Sequence, residues 1–260
     1  MASTLDFDDK AARHIDAIYS TPDIAATRVA VFRALNPSCG ETALDLGCGP
    51  GYMLRDLAAS VGATGQAIGV DISDPMLALA KHRCEGLPQV RLERADALTL
   101  PVPDASVDLA CVMQVYAYVT ELDAALAELR RVLKPGGRAI ILDTDFAGVV
   151  WESRDRARMR RVMQAYDAHV AWPDLPRILP ARLRKAGLTM ARVEAVPVVT
   201  THYHAHSYVH GIARFIHAFV VNHGITKDEA DAWLAEFDAL EAEGAFLFSV
   251  NRFMFTVGRG

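Results

Sequence analysis

Between residues 42 and 143 short apolar, β-branched runs alternate with helical patterns, and no other feature restricts the fold as much. The runs lie at 42–46, 66–70, 90–93, 107–113 and 138–142. Runs of this length separated by helical segments predict βαβ units around a parallel sheet. Before the last run, Leu122, Ala125, Leu126, Leu129, Val132 and Leu133 recur at helical spacing, behind Thr120 and Asp123 as a capping box. Pro135, Gly136 and Gly137 then read as the stop of that helix.

Beyond Asp145 the rhythm changes. Helical patterns cover about 149–170 and a further stretch to Ala186, ended by Gly187; a strand-like run follows at 190–200 and a His-rich segment after it. Another helix is expected over 227–243, with Thr226 and Glu229 as its capping box, before a Phe- and Val-rich strand at 246–257. With no internal repeat or long linker, residues 1–260 read as a single unit: a doubly wound, Rossmann-like α/β fold with a mostly parallel, seven-stranded sheet. Residues 1–40 would form an N-terminal helical cover and 40–145 the ligand-binding core, with helical lid segments at 147–187 and 203–243.

Composition narrows the function classes. Of the 260 residues 52% are hydrophobic and 23% charged, enough to bury a sizeable core and too apolar for a disordered tail. The net charge of −5, from 27 basic against 32 acidic residues, argues against a partner bound by neutralising phosphates, so no nucleic acid is expected. The four cysteines form no CxxC pair, and reduced thiols are the reading. The amino terminus lacks a secretory layout and no apolar run reaches the roughly 18 residues of a membrane span. A cytoplasmic protein without membrane association is expected, as monomer or homodimer.

The sharpest local signal is Ala43 to Gly51, where an apolar strand enters closely spaced glycines. Glycines at 47, 49 and 51 permit positive φ and remove Cβ atoms, so a ligand can lie against the backbone at the strand's carboxyl end. The bland reading is a tight strand-to-helix turn without ligand. Asp71 ends the next strand, where a carboxylate can accept hydrogen bonds from both ribose hydroxyls; otherwise it caps the following helix, a task open to Ser73 or Asp74 as well. Asp96 follows the third strand and could equally be a solvated loop residue. Nicotinamide enzymes also join a glycine turn to a ribose-binding acid, but their turn is GxGxxG and this one is GxGxG. A Walker loop is excluded because no Lys-Ser or Lys-Thr follows the glycines.

Taken together these segments resemble the class I S-adenosylmethionine-dependent methyltransferases, and within them the small-molecule group of ubiquinone/menaquinone biosynthesis methyltransferases. The matching stretches are LDLGCGPG (44–51), GVDISDPM (69–76), ADA (95–97), LPVPDASVD (100–108) and LKPGG (133–137), in unbroken order over about residues 40 to 145. The resemblance implies S-adenosylmethionine as cofactor, S-adenosylhomocysteine as product and no metal. It places Gly47, Gly49 and Gly51 along the methionine portion, with Asp45 toward its amino group. Asp71 would take the ribose hydroxyls, Ile72 and Met76 would pack on adenine, and Asp96 with the Ala97 amide would read its edge. Gln114 would stand at the mouth of the active site, while Tyr19 and Arg28 would cover the cofactor and meet its carboxylate.

Methyl transfer is an in-line displacement, and holding the acceptor about 3–3.5 Å from the methyl carbon supplies most of the catalysis. A base is needed only where an O–H or N–H acceptor must lose its proton. Tyr19, Tyr116 and Tyr118 offer aromatic faces to a methylsulfonium, or else pack in the core. Six of nine histidines fall between His202 and His223. His202 and His206 are candidate catalytic bases, and His210, Tyr118, Asp145 and Trp151 candidates for the acceptor pocket; surface or satisfied-core roles are the alternatives. Asp143 also stands at that strand end, where it can simply cap the sheet. The arginines at 154–161 read as a solvated helix face. The expected activity is methyl transfer to an O, N or C nucleophile of a small metabolite. An NAD(P)-dependent oxidoreductase and a binding protein that holds the cofactor without turnover are the competing classes.

Overall fold

Strand β1 (Thr42–Leu46) gathers the molecule around it, because both its faces and both its edges are covered. The computed structural model describes residues 9–260, so the first eight residues of the expected N-terminal cover lie outside the described residues. Helices α1 (Asp9–Tyr19) and α2 (Pro22–Leu35) precede β1. The expected alternation follows: α3 (Tyr52–Val61), β2 (Gln66–Asp71), α4 (Asp74–Arg83), β3 (Val90–Arg94), β4 (Val107–Met113), α5 (Leu122–Val132) and β5 (Leu133–Thr144). The remainder comprises β6 (Val150–Trp151), α6 (Arg156–Tyr166), α7 (Leu175–Lys185), β7 (Thr189–Thr200), α8 (Tyr208–Val220), α9 (Lys227–Ala242) and β8 (Phe248–Gly258).

The sheet runs β3-β2-β1-β4-β5-β8, with β7 on the far side of β8 and the two-residue β6 beside the start of β8. β1 to β5 are parallel; β8 is antiparallel to β5 and to β7. The strand order turns back at β1, where β2 lies on one side and β4 on the other. In open α/β sheets that switch point is where ligands bind, beyond the carboxyl ends of the strands. Because β8 runs backwards, its first residues rather than its last reach that same edge.

Local chemistry explains most boundaries. Ser73, Ser207 and Thr226 cap α4, α8 and α9 by accepting the amides of Met76, His210 and Glu229. The capping box expected at Thr120 and Asp123 does not form. Thr120 turns to the carboxylate of Glu121, and Asp123 is taken by Arg182 at 3.0 Å and Lys185 at 2.5 Å on α7. Two cations hold a carboxylate more firmly than one backbone amide does. Nor do Pro135 to Gly137 separate helix from strand, since β5 begins at Leu133 directly after α5. The helix expected over 149–170 is shorter, because Val150 and Trp151 pair with the start of β8 and α6 begins only after Asp155, which caps it.

Gly51 illustrates how tightly the glycine turn is packed. It has φ +83°, and a Cβ there would stand 2.8 Å from the Ala80 Cα of α4. Gly51→Ala combines a left-handed backbone with a backbone clash, and we expect a loss of about 2–3 kcal/mol in urea unfolding.

Candidate active site

At the carboxyl edge of the sheet lies a cavity of about 860 Å³, near the upper end for small-molecule sites. The turn after β1 forms its floor. Gly47 (φ +67°) admits no side chain, because a Cβ would collide with Val115, and the amides of Gly47 and Cys48 both donate to the Val70 carbonyl. Gly49 (φ +50°) faces open space, with the Tyr19 ring 3.9 Å from where its Cβ would be. Asp71 Oδ2 accepts the Gly49 amide at 2.8 Å and Oδ1 the Ser73 amide at 2.9 Å. Ser73 fills the helix-capping role, so Asp71 is fixed at the cavity wall with lone pairs to offer. Asp96 is fixed likewise, Oδ1 accepting the amides of Leu98 and Thr99 at 2.8 and 3.0 Å. Ile72, Met76 and Ala97 line the same end.

Further along, Asp45, the penultimate residue of β1, has its Oδ2 buried and unpartnered. Burial first, and the nearby Asp71 charge second, push its pKa up to about 7. Gln114 holds φ +57°, rare for a residue with a side chain, and its amide is clasped by Thr144 Oγ1, 2.5 Å from the amide nitrogen. Asp143 lies fully buried behind the turn after β4. Its oxygens make no well-formed hydrogen bond, and burial lifts its pKa to about 7 against the opposing pull of the Ala117, Thr144, Tyr116 and Val115 amides.

The wall beyond Gln114 is aromatic and apolar: Tyr118, Phe146, Tyr166, Ile212 and Phe215. Tyr118 reaches the cavity as expected, but Tyr116 does not; it is buried beneath, its hydroxyl unpartnered and burial holding its pKa far above normal. Arg252, on β8, enters the wall beside Tyr208 and Thr27. The histidine segment stays outside. His202 is exposed against Glu241, His206 is exposed, and His210 leans on Tyr203 and Arg214. Asp145 is drawn from the cavity by Arg177 at 3.0 Å, and Trp151 stacks on Phe237 in the core below. The buried histidine beside this aromatic wall is His169, whose ring lies behind Phe146 and Tyr118; burial lowers its pKa to about 4.

Residues 44–141 match the family described as a methyltransferase domain. The matched segment runs from β1 into β5 and takes in the glycine turn, Asp71 and Asp96. An uncharacterised 37.1 kDa protein in a Streptomyces fradiae transposon is 39% identical over 60% of this chain and 44% of its own length. A demethylmenaquinone methyltransferase of Staphylococcus saprophyticus is 37% identical over 45% of this chain and 50% of its own. The chain thus spans about half the length of the curated relatives it matches. The fold recurs in phosphoethanolamine N-methyltransferase 2 of Haemonchus contortus in complex with S-adenosylmethionine, at TM-score 0.62 and 18% identity over 97% of this chain and 57% of that one.

The cavity fits the cofactor of the matched family on its own chemistry. Of the residues expected to hold it, Tyr19, Arg28, Asp45, Gly47, Gly49, Asp71, Ile72, Met76, Asp96, Ala97 and Gln114 line one continuous wall. Gly51 does not, and acts through packing. The orphaned Asp45 oxygen is matched to an ammonium group. Arg28 stands over the Tyr52 ring, 3.6 Å from Asp56, within reach of a carboxylate. Among the described residues no group of three His, Cys, Asp or Glu is placed to hold a metal, and no helix is long and apolar enough to cross a membrane. The sequence reading did not single out Arg252, Tyr208, Tyr166 or Phe215, which come from β8, α8 and α6 with no motif around them.

Asp45 carries a measurable pH signature. Its carboxyl binds a proton more tightly folded than unfolded, so its contribution to stability falls as pH rises from about 4 to 7 and stays lost above. Asp45→Asn removes that loss. Without ligand the variant should be more stable than the parent at pH 8 by on the order of 3 kcal/mol, with the gap closing near pH 4, while its affinity for S-adenosylmethionine falls at least tenfold. Urea unfolding across pH and calorimetric titration read the two effects separately.

Proposed function

We propose that the chain transfers a methyl group from S-adenosylmethionine to an O, N or C nucleophile of a small, largely apolar metabolite. The observation that carries this reading is the joint placement, on one cavity, of Asp71, Asp96 and the orphaned Asp45 oxygen around the glycine turn. When bound, the cofactor supplies an electrophilic methyl carbon, to which the acceptor bonds as the sulfur–carbon electron pair returns to sulfur.

The chain's own part is placement. Asp71 receives the ribose hydroxyls; Asp96 and the Ala97 amide take the adenine edge, with Ile72 and Met76 against its faces. Asp45 receives the ammonium group, and its carboxyl is held ionised by the incoming cation. Gln114, fixed by Thr144, marks the passage from the cofactor to the acceptor. Tyr118, Phe146 and Tyr166 shape an aromatic slot in which a ring compound is desolvated and aimed. The carboxylates, aimed at hydroxyls and an ammonium, leave the slot itself apolar.

We further propose that His202, His206 and His210 do not serve as base, because their rings stand outside the cavity. The Tyr118 phenol, raised well above its usual range by burial, stays protonated and serves as a hydrogen-bond donor or a ring face. Acceptors whose nucleophile is already anionic, or acidic enough to ionise in solution, suit such a site. Residues 1–40 and the segments 147–187 and 203–243 act in this reading as the cover over the two ligands.

Thermal-shift titration of the whole chain should show S-adenosylhomocysteine raising the Tm while NADH and NADPH leave it unchanged; the reverse order would sink the reading. Asp71→Asn should weaken S-adenosylhomocysteine binding about ten- to a hundredfold, as expected for hydrogen bonds to a charged acceptor. Incubation with methyl-labelled S-adenosylmethionine and cell extract should place the label in a small molecule rather than in protein or nucleic acid.

A further inference from the structure

Arg252 is a deeply buried cation. It is 2% exposed, and among the described residues no carboxylate lies within ion-pair distance of it. Its Nη1 donates to Thr27 Oγ1 at 3.1 Å, its guanidinium carbon stands 4.8 Å from the centre of the Tyr208 ring, and its Nε has no partner. A guanidinium does not escape burial by losing its proton. One hydroxyl and one aromatic face offset only part of the desolvation cost. The group lines the cavity together with Thr27 and Tyr208, so the missing partner can arrive as ligand.

Position decides which ligand. Nucleoside contacts belong to β2, β3 and the turns after them, the ammonium site to β1, and Gln114 to the end of β4. Arg252 faces Thr144 across the β5–β8 pair, three strand spacings beyond β1, or about 14 Å at the usual separation. Arg28 already stands beside the glycine turn for the cofactor's own carboxylate. The aromatic slot of Tyr118, Phe146, Tyr166 and Phe215 occupies the same acceptor end.

We propose, resting on the methyltransferase reading, that Arg252 selects acceptors carrying an oxyanion, carboxylate or phosphate, on an apolar ring body. The fork of the guanidinium matches either anion. Tyr208 and Thr27 hold that fork in place, and the slot takes the ring. Arg252 therefore sets substrate class and orientation; it takes no proton and touches no bond that breaks.

The test uses the full chain saturated with S-adenosylhomocysteine and three probes that share one ring: 1-hydroxy-2-naphthoate, 1-naphthyl phosphate and neutral 1-naphthol. Calorimetric titration should show at least one acid binding tenfold or more tighter than 1-naphthol, and which acid leads distinguishes carboxylate from phosphate. In Arg252→Met that preference should shrink below threefold, with 1-naphthol and S-adenosylhomocysteine affinities within threefold of the parent. Arg252→Lys, which keeps the charge but not the fork, should retain an intermediate preference. The unliganded Arg252→Met protein should melt at or above the parent temperature, since it loses an uncompensated charge. Equal binding of acids and naphthol by the parent, or an undiminished preference in Arg252→Met, overturns the assignment. A tenfold loss of S-adenosylhomocysteine affinity in Arg252→Met also overturns it, by placing the residue on the cofactor. Failure of the parent to bind S-adenosylhomocysteine counts against the methyltransferase reading instead, and the acid preference is then read on the unliganded protein.

Discussion

The hydrogen bond from the Gly49 amide to Asp71 holds the site together. It ties the turn after β1 to the end of β2 across the switch point of the sheet. The same carboxylate accepts the Ser73 amide, so one side chain fixes the entrance to α3 and the entrance to α4 at once. A carboxylate anchored by two amides is oriented before any ligand arrives, and the ligand does not bear the entropy of ordering it. The glycines complete this arrangement sterically: Val115 excludes a side chain at 47, Ala80 excludes one at 51, and only at 49 is the space left for ligand.

Around that anchor the protein leaves charged and polar groups incompletely satisfied. Asp45 and Asp143 are buried with carboxyls pushed up to about 7, and Arg252 is buried with no carboxylate in ion-pair contact among the described residues. Each costs stability in the free protein; Asp45 and Arg252 line one cavity, and Asp143 lies buried behind it. Asp143 differs from the other two in being ringed by the amides of Val115 to Ala117. Its place is behind the turn that carries Gln114 and Tyr118. The strained backbone at Gln114 belongs to the same turn, fixed by the Leu142 carbonyl on its amide and by Thr144 on its side chain.

The cofactor half was legible in the sequence because its residues are local. A strand, its terminal acid and the following turn sit within a dozen residues, and their spacing is dictated by one strand and one helix start. The same locality made the caps at Ser73 and Thr226 readable. It failed at Thr120 and Asp123, where Arg182 and Lys185, some sixty residues away, compete for the carboxylate. The histidine cluster misled for a related reason. Spacing shows that His202, His206 and His210 fall close together, but not that the first two lie ahead of α8 nor which side of α8 meets the cavity, and Tyr208, Ile212 and Phe215 take that side.

The acceptor half is built in the opposite way. Tyr118 follows β4, Phe146 follows β5, Tyr166 closes α6, Phe215 lies on α8 and Arg252 on β8, so no window of sequence contains two of them. Arg252 in particular sits in a Phe- and Val-rich run that reads as an ordinary strand. Its meaning comes from topology: only because β8 runs against its neighbours does the beginning of the last strand reach the edge where the earlier strands end. Changing the acceptor therefore requires single substitutions on elements far apart in the chain, each made without disturbing the turn between β1 and α3. A scaffold divided in this way keeps cofactor binding and acceptor choice on separate residues, which lets one vary while the other is held.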